Sequence, residues 1–213
     1  MRKIKQIGIV LLCCALLAGC GNTGPTQAEQ EKPEETAPVE EKAEVQEESS
    51  AFSMPGGESL ISEYEIFDVS SENLRDGVWD DVISNTDKGE NKSPQISWEP
   101  VEGAESYVVF MVDTSTQYWM HWKSEGVTET TLPLGWASEA EYVGPYPPAG
   151  STHIYEIYVI AIRNPVERVK GGLNSANIKF PEFITALDTD AEEHSGNIIS
   201  CGHIAGTYSN RSD

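Results

Sequence analysis

The sequence predicts a mainly β domain that begins near residue 58 and ends near residue 210. Short segments rich in β-branched and aromatic residues recur between clusters of Gly, Pro, Asn and Ser, which is typical of strands joined by turns. The proline-rich segment 144–150 cannot be a helix or a central strand, because proline has no backbone N–H to donate. A single helix candidate lies near the C-terminus. Together these features favour a mostly antiparallel sheet.

Six segments are predicted as strands: 61–69, 95–98, 107–113, 119–122, 154–162 and 198–208. The third, Tyr-Val-Val-Phe-Met-Val-Asp, is almost continuously apolar, so it should be covered on both faces. The fifth is dominated by Ile, Val and Tyr and should also be central. Residues 180–194 are the predicted helix, with Pro181 near its start, where the missing N–H is harmless.

The N-terminus has the parts of a bacterial lipoprotein signal. Three cations precede an uncharged apolar run at 7–17, which is too short to span a bilayer. Residues 17–20, Leu-Ala-Gly-Cys, resemble a lipobox. We therefore predict that the signal peptide 1–19 is removed and that Cys20 carries a diacylglycerol lipid, with acyl chains such as palmitate. The protein is then extracytoplasmic and lipid-anchored to the bacterial cell membrane.

The next segment is predicted to be a tether. Between residues 21 and 50 the chain has nine Glu, two Lys and few large apolar side chains, so it cannot bury enough surface to offset its ordering entropy. Residues 20–57 are therefore predicted to be the lipidated cysteine followed by a disordered acidic tether. Two of the four cysteines leave with the signal, and Cys201 is then unpartnered, so no internal disulfide is expected.

The charge of the chain argues against some classes of partner. The formal net charge is −21, and a surface this acidic repels the phosphate backbone of nucleic acids. No apolar stretch after residue 20 has the length of a transmembrane helix. We therefore expect no nucleic-acid partner, and contact with the membrane only through the lipid on Cys20.

From residue 93 onward the sequence resembles the phosphatidylethanolamine-binding protein family, also called the Raf-kinase-inhibitor-like family, in its bacterial branch. The matching blocks are 93–98 with the strand that ends at Asp113, then 119–122 (Trp-Met-His-Trp), 142–155 (Tyr-Val-Gly-Pro-Tyr-Pro-Pro-Ala-Gly-Ser-Thr-His-Ile-Tyr) and 206–208 (Gly-Thr-Tyr). The block 142–155 is the most specific, because its proline-rich loop and the following His-x-Tyr have the family's order and spacing. The resemblance covers residues 60–210.

The resemblance implies a large antiparallel sheet packed on a smaller one, with one or two short helices near the C-terminus. It also implies a small pocket for anions such as phosphate or a phospholipid headgroup. The residues that it places there are Asp113, His121, Pro148, His153 and Tyr155, with Tyr142 and Gly144 nearby. Imidazole N–H groups and a tyrosine hydroxyl donate hydrogen bonds to an anion, and Asp113 can accept one from an imidazole and orient the ring.

The sequence departs from the family pattern at two places near this pocket. The family usually has Asp-Pro-Asp-x-Pro after the first long strand, whereas residues 113–117 are Asp-Thr-Ser-Thr-Gln. Ile154 stands where the family usually has Arg after the second His. The missing second acid and prolines predict a looser loop on one wall of the pocket, and Ile154 removes a cation from its surroundings.

The predicted function is a surface-anchored, non-enzymatic binding protein with a small anion pocket. One alternative is a protein-interaction module that inhibits or scaffolds an extracytoplasmic partner such as a protease. Another is a hydrolase that uses Ser115 or Thr116, although no Gly-x-Ser-x-Gly motif is present. Two His and a carboxylate are also a common metal-ligand set, but the resemblance implies no metal, so neither a metal nor a cofactor is predicted.

Overall fold

The structure is a computed structural model and describes residues 56–211. The predicted signal peptide, the lipidation site at Cys20 and the predicted tether up to residue 55 lie outside the described residues. Residues 56–211 form ten strands: β1 (Glu65–Phe67), β2 (Val69–Ser70), β3 (Leu74–Arg75), β4 (Val78–Trp79), β5 (Ile96–Trp98), β6 (Ser106–Asp113), β7 (Trp119–Val127), β8 (Thr131–Leu132), β9 (Thr152–Ile162) and β10 (Ile198–Ser209). They also form one α-helix, α1 (Phe180–Thr185), and 3-10 turns at Gly57–Leu60, Asp81–Ile83 and Ala186–Asp188. None of the helical segments between residues 56 and 211 is long and apolar enough to cross a membrane.

The strands form two sheets. The larger has seven strands in the order β3-β4-β10-β9-β6-β7, with β1 also paired to β10, and the smaller has the order β2-β5-β8. The predicted class, a large sheet with a smaller one and a short late helix, is confirmed. The larger sheet is mixed rather than wholly antiparallel, since β1 and β4 both run parallel to β10. Because β9 pairs with the whole length of β10, these two short strands pair with its other edge, one near each end.

Three predicted elements have clearly different limits in the structure. The predicted strand 119–122 extends to Val127 as β7. The segment 61–69 is not one strand: it begins as a turn, and β1 and β2 belong to different sheets. The predicted helix 180–194 ends at Thr185 and continues only as the 3-10 turn Ala186–Asp188. The Asp190 carboxylate accepts the backbone N–H groups of Glu192 and His194, both at 2.9 Å. Such local side-chain hydrogen bonds compete with helical ones, so the helix prediction was too long.

β6 and β9 lie at the centre of the larger sheet and are covered on both faces. On one face, alternate side chains pack with the smaller sheet and with Trp98 and Trp122. On the other face, Phe110 and Tyr158 make edge contacts with Phe180 of α1. Every residue of β6 is buried, which confirms the prediction of a strand covered on both faces. The candidate site lies on the first of these faces, where β6 ends and β9 begins.

The start of the described chain is bound to the opposite face of the sheet through Glu156 of β9. The Tyr158 hydroxyl donates to the Glu156 carboxylate at 2.6 Å, His203 Nε2 lies 3.0 Å from it, and the Gly57 backbone N–H also donates to it. A Cβ on Gly56 would lie 2.3 Å from Glu156 Oε1, so a side chain there would displace this contact. Burial raises the pKa of Glu156, but the hydrogen bonds from His203, Tyr158 and Gly57 outweigh it, and the net pKa is lowered.

We expect Glu156→Gln to lower the free energy of unfolding by about 1–2 kcal/mol at neutral pH, because charge-assisted hydrogen bonds become neutral ones. The lowered pKa means that the stabilisation by Glu156 is present above its unfolded pKa of about 4.3 and is lost as the pH falls through the lower folded value. Urea unfolding at neutral and acidic pH measures both effects. Glu65→Gln, at an exposed position of β1, is the control. Equal losses in the free energy of unfolding of the two variants would contradict the stabilising role of the Glu156 carboxylate.

Candidate functional site

A β-bulge places His121 in the site. Met111 of β6 lies opposite Trp122 of β7, whereas the next residue, Val112, lies opposite Met120, so His121 is the extra residue between these pairs. A bulge of this kind changes the direction of a side chain relative to regular strand alternation. His121 is buried, and its ring makes an edge contact with Tyr155, with ring centroids 5.1 Å apart.

The protonation of the His121 ring is fixed by two backbone carbonyls. His121 Nδ1 lies 2.7 Å from Val143 O and 3.1 Å from Gly144 O. Carbonyl oxygens only accept hydrogen bonds, so Nδ1 carries the proton of the neutral ring. Burial lowers the pKa of His121, and the carbonyls and the charge of Asp113 offset this only in part. The neutral form is therefore favoured near neutral pH.

Asp113, which is buried, and His153, which is partly exposed, form a hydrogen-bonded pair on neighbouring strands. Asp113, the last residue of β6, lies opposite Tyr155 of β9, and His153 is two residues before Tyr155 and therefore on the same face. His153 Nδ1 lies 2.6 Å from Asp113 Oδ2, and the Asp113 side chain is only 3% exposed. The Ser115 N–H donates to Asp113 Oδ1 at 2.8 Å. Both oxygens of the carboxylate are thus engaged and the side chain is held in place.

The Tyr155 hydroxyl is a buried polar group without a well-directed hydrogen bond. Tyr155 is completely buried, and its hydroxyl makes no hydrogen bond of normal geometry with any residue between 56 and 211, although it interacts with the Asp113 carboxylate. The ring is parallel to that of His153, with centroids 6.4 Å apart. Burial, then the charge of Asp113 and a hydrogen-bonding interaction with its carboxylate, raise the pKa of Tyr155, so the hydroxyl remains protonated and able to donate. A buried hydroxyl in this position suits a ligand atom that accepts a hydrogen bond.

The loop between β8 and β9 builds one wall of the site. Its residue Tyr142 packs in the core behind the site, and the hydroxyl donates to Ile83 O at 2.8 Å. The Gly144 N–H donates to Asn91 Oδ1 at 2.7 Å, while its carbonyl faces His121. Tyr142 and Gly144 thus hold this loop in place through hydrogen bonds to Ile83 and Asn91. Pro148, further along the loop, is exposed and reaches the cavity itself.

The structure brings five of the predicted residues around one cavity of about 430 Å³. They are Asp113, His121, Pro148, His153 and Tyr155, and Thr116, Trp119, Tyr146 and Pro147 complete the lining. Most of this wall is aromatic ring or proline, with the polar atoms concentrated at Asp113, the two imidazoles and Tyr155. Such a mixture, apolar with a few convergent polar groups, is typical of a small-ligand site.

Four residues in or beside the site were missed by the sequence analysis: Trp119, Tyr146, Pro147 and Asn174. Trp119 and Tyr146 line the cavity, and both are hydrogen-bonded to Asn174 Oδ1, Trp119 from Nε1 at 3.2 Å and Tyr146 from its hydroxyl. Trp119 lies in the same quoted block as His121 and Tyr146 in the proline-rich block, so both could have been proposed. Asn174 lies in a loop without a recognisable motif, and no sequence signal indicates it.

The two hydroxyl residues of the hydrolase alternative lie in different places, and Thr116 lines the cavity. The hydroxyl of Ser115, one residue proposed for the hydrolase alternative, accepts the Ile154 N–H at 2.9 Å and does not line the cavity. This contact ties the altered loop after Asp113 to β9. Within residues 56–211, no group of three or more His, Cys, Asp or Glu side chains is arranged to hold a metal ion.

Acid should destabilise the fold through His121. The unfolded chain binds a proton at this residue near pH 6.5, whereas the folded chain binds it only at lower pH. Between the two pKa values the unfolded state binds more protons, so the free energy of unfolding falls as the pH falls, by about 1.4 kcal/mol per pH unit. Urea unfolding of the wild type and of His121→Gln from neutral to mildly acidic pH tests this.

In that experiment the wild type should lose more stability on acidification than His121→Gln. His194→Gln is the matched control, because the His194 side chain is 70% exposed and lies outside the cavity. Its pH dependence should follow that of the wild type. An identical pH dependence of the wild type and His121→Gln would show that the burial of His121 has no effect on protonation.

Comparison with known proteins gives the family of the chain. The profile of the family described as "Phosphatidylethanolamine-binding protein" matches residues 80–209. Among solved structures, YbcL from E. coli, a member of the mammalian PEBP family, aligns with a TM-score of 0.49 and 21% identity over 67% of this chain and 98% of that chain. The PEBP homologue CT736 from Chlamydia trachomatis aligns with a TM-score of 0.49 and 20% identity over 70% and 99%. No curated protein sequence matches the chain. Since the family profile spans more than half of its residues, this chain belongs to the phosphatidylethanolamine-binding protein family.

Proposed function

We propose that this chain is a non-enzymatic binding protein whose cavity holds a small oxyanion, either phosphate or the phosphoryl group of a lipid headgroup. The observation that carries the proposal is the buried Tyr155 hydroxyl, which has no hydrogen bond of normal geometry among the described residues and belongs to a ring that lies beside the imidazoles of His121 and His153. Burying a hydroxyl without a hydrogen bond costs about 1–3 kcal/mol, and a bound oxygen atom removes this cost.

The dimensions and walls of the cavity support a ligand larger than a bare ion. A volume of about 430 Å³ accommodates a phosphoryl group and leaves space for what is attached to it. The aromatic rings of Trp119 and Tyr146 in the cavity wall can pack against the carbon atoms of a headgroup. His153 adds a second donor when its ring is protonated beside the Asp113 carboxylate.

We further propose that the protein acts outside the cytoplasm, anchored to the bacterial cell membrane by a lipid on Cys20. The support is the N-terminal sequence, in which a cationic start, a short apolar run and Leu-Ala-Gly-Cys follow one another. The acidic segment after Cys20 would let the domain reach ligands at a distance from the bilayer. A surface protein partner is compatible with the same arrangement.

The test is a titration of the full chain, isotope-labelled at histidine, with inorganic phosphate and with phosphoethanolamine. The proposal predicts that the NMR resonances of His121 and His153 move together at millimolar ligand, while that of the exposed His194 does not. A response to phosphoethanolamine alone would favour a headgroup, and equal responses would favour free phosphate. If neither ligand moves the two resonances, the anion pocket is refuted and binding of a protein partner becomes the hypothesis to test.

A further inference from the structure

A second cavity, which we call the polar groove, adjoins the candidate site at Tyr146. It has a volume of about 660 Å³, and its polar lining residues are Asn85, Thr86, Asp87, Lys88, Asn210 and Arg211. Tyr146 lines both cavities, whereas Pro147 and Pro148 line only the first. The proline-rich loop is therefore a wall that the two cavities share, and a ligand held in the first can extend past Tyr146 into the second.

The walls of the polar groove are fixed relative to the candidate site by hydrogen bonds to the proline-rich loop. The Asn85 N–H donates to Pro145 O at 2.9 Å. The Asn210 side-chain amide donates to Pro147 O at 2.9 Å, and the Asn210 backbone carbonyl accepts the Gly150 N–H at 2.7 Å. Because both sides of the groove are attached to this loop, a ligand that spans the two cavities would meet preformed walls, which reduces the entropy cost of binding.

The charge of the polar groove has the opposite sign to that of the chain. Lys88 and Arg211 bring two cations to its wall and Asp87 one anion, whereas the formal net charge of the chain is −21. The Arg211 guanidinium presents a planar set of N–H donors that matches the oxygens of a phosphate group, and the Lys88 ammonium adds a second positive charge. On a protein whose net charge repels anions, these two cations stand in a groove that shares a wall with the proposed anion site.

We propose that the polar groove is a second anion subsite, and that the protein binds ligands carrying two phosphate groups, such as polyol bisphosphates, with one phosphate in each cavity. This inference rests on the proposed function, because it takes the cavity at His121 and His153 as the site of the first phosphate. Lys88 and Arg211 are then specificity-determining residues, which add affinity for the second phosphate.

The expected gain in affinity is modest and depends on salt. Exposed ion pairs are individually weak, so the two cations together should make a bisphosphate bind about three- to tenfold more tightly than the matching monophosphate. Salt screens exposed charges, so this gain should shrink as the ionic strength rises from about 0.01 M to about 0.15 M. The Asp87 carboxylate opposes a second phosphate, and Asp87→Asn should therefore increase the gain.

Calorimetric titration of the full chain with glycerol phosphate and with glycerol bisphosphate tests the proposal. We expect both to bind, and the bisphosphate to bind about three- to tenfold more tightly at low salt. A gain of about twofold or less would overturn the second subsite and leave the anion pocket standing, because either phosphate of the bisphosphate can enter the first cavity. No binding of either ligand would overturn both proposals.

NMR during the same titrations locates the second phosphate. The His121 resonance should move with both ligands, whereas the backbone amide resonance of Lys88 should move with the bisphosphate alone. A Lys88 amide that does not respond to the bisphosphate would refute the assignment of the second phosphate to the polar groove.

Two double variants separate the effect of the groove from that of net charge. Lys88→Gln combined with Arg211→Gln should reduce the gain to about twofold or less. Arg75→Gln combined with Lys179→Gln removes the same charge at exposed positions outside both cavities, and it should keep the gain. Equal loss of the gain in the two double variants would show a long-range charge effect and refute the subsite.

Discussion

Tyr155→Phe is expected to weaken phosphate binding by about tenfold or more and, at the same time, to raise the free energy of unfolding of the ligand-free chain by about 1–2 kcal/mol. The two effects have one cause. The hydroxyl of Tyr155 is completely buried and has no hydrogen bond of normal geometry among residues 56–211. It therefore lowers the stability of the free protein, and it contributes favourably only in a complex where a ligand accepts its hydrogen bond. The ring itself, which contacts His121 and His153, is kept in the variant.

Tyr142→Phe is the matched control for this experiment. The Tyr142 hydroxyl is equally buried, but it donates to Ile83 O at 2.8 Å, so its removal leaves a carbonyl unsatisfied. We expect this variant to lose about 1–2 kcal/mol of stability, the opposite sign to that of Tyr155→Phe. Urea unfolding without phosphate and calorimetric titration with it measure both quantities. Destabilisation by Tyr155→Phe in the absence of ligand would contradict the assignment of a hydroxyl without a well-directed hydrogen bond.

Gly144→Ala is expected to lower the free energy of unfolding by about 3 kcal/mol and to abolish phosphate binding. A Cβ at this position would lie 2.0 Å from Ile83 O and 2.9 Å from Asn85 N, both backbone atoms that cannot rotate away. The loop must therefore move outward, and its Val143 and Gly144 carbonyls would leave His121 Nδ1. Glycine is required at position 144 because the backbone of Ile83 and Asn85 leaves no room for a Cβ.

The comparison variant for Gly144→Ala is Ala149→Ser, in the exposed part of the same loop, which should change stability by less than about 0.5 kcal/mol. Urea unfolding gives the stabilities, and the His121 resonance reports the position of the loop in any variant that remains folded. A Gly144→Ala protein with wild-type stability and an unchanged His121 resonance would show that the backbone around Ile83 adapts to a methyl group.

The parts of the fold that the sequence predicts are those governed by side-chain patterns. The apolar run that became β6 is buried along its whole length, and the run predicted as a central strand is buried in β9 from Tyr155 to Ile162; hydrophobicity alone predicted both. The parallel pairing of β1 and β4 with β10 could not be predicted, because each involves only a few residues and depends on which edge of β10 is open. The early end of α1 depends on the local hydrogen bonds of Asp190, which a helical pattern does not show.

The candidate site, too, could be predicted only in part. The resemblance to the family indicated the residues that the structure groups around the cavity. It did not indicate the tautomer of His121, because that depends on the direction of two backbone carbonyls. Nor did it indicate Asn174, whose side chain links Trp119 and Tyr146 although the chain separates it from both. Contacts between a side chain and a distant backbone or loop leave no local pattern in a sequence.

The attachment of Gly57 to Glu156 has a mechanical consequence. Glu156 lies on β9 between Tyr155 and Ile157, with its side chain on the face of the sheet opposite the cavity. A pull on the chain ahead of Gly56 would first load the hydrogen bonds from Gly57 to the side chains of Glu156 and Tyr158, which stand on a central strand paired on both edges. Because the pairing of that strand does not depend on these side-chain hydrogen bonds, their rupture would leave His153 and Tyr155, which line the cavity, in place.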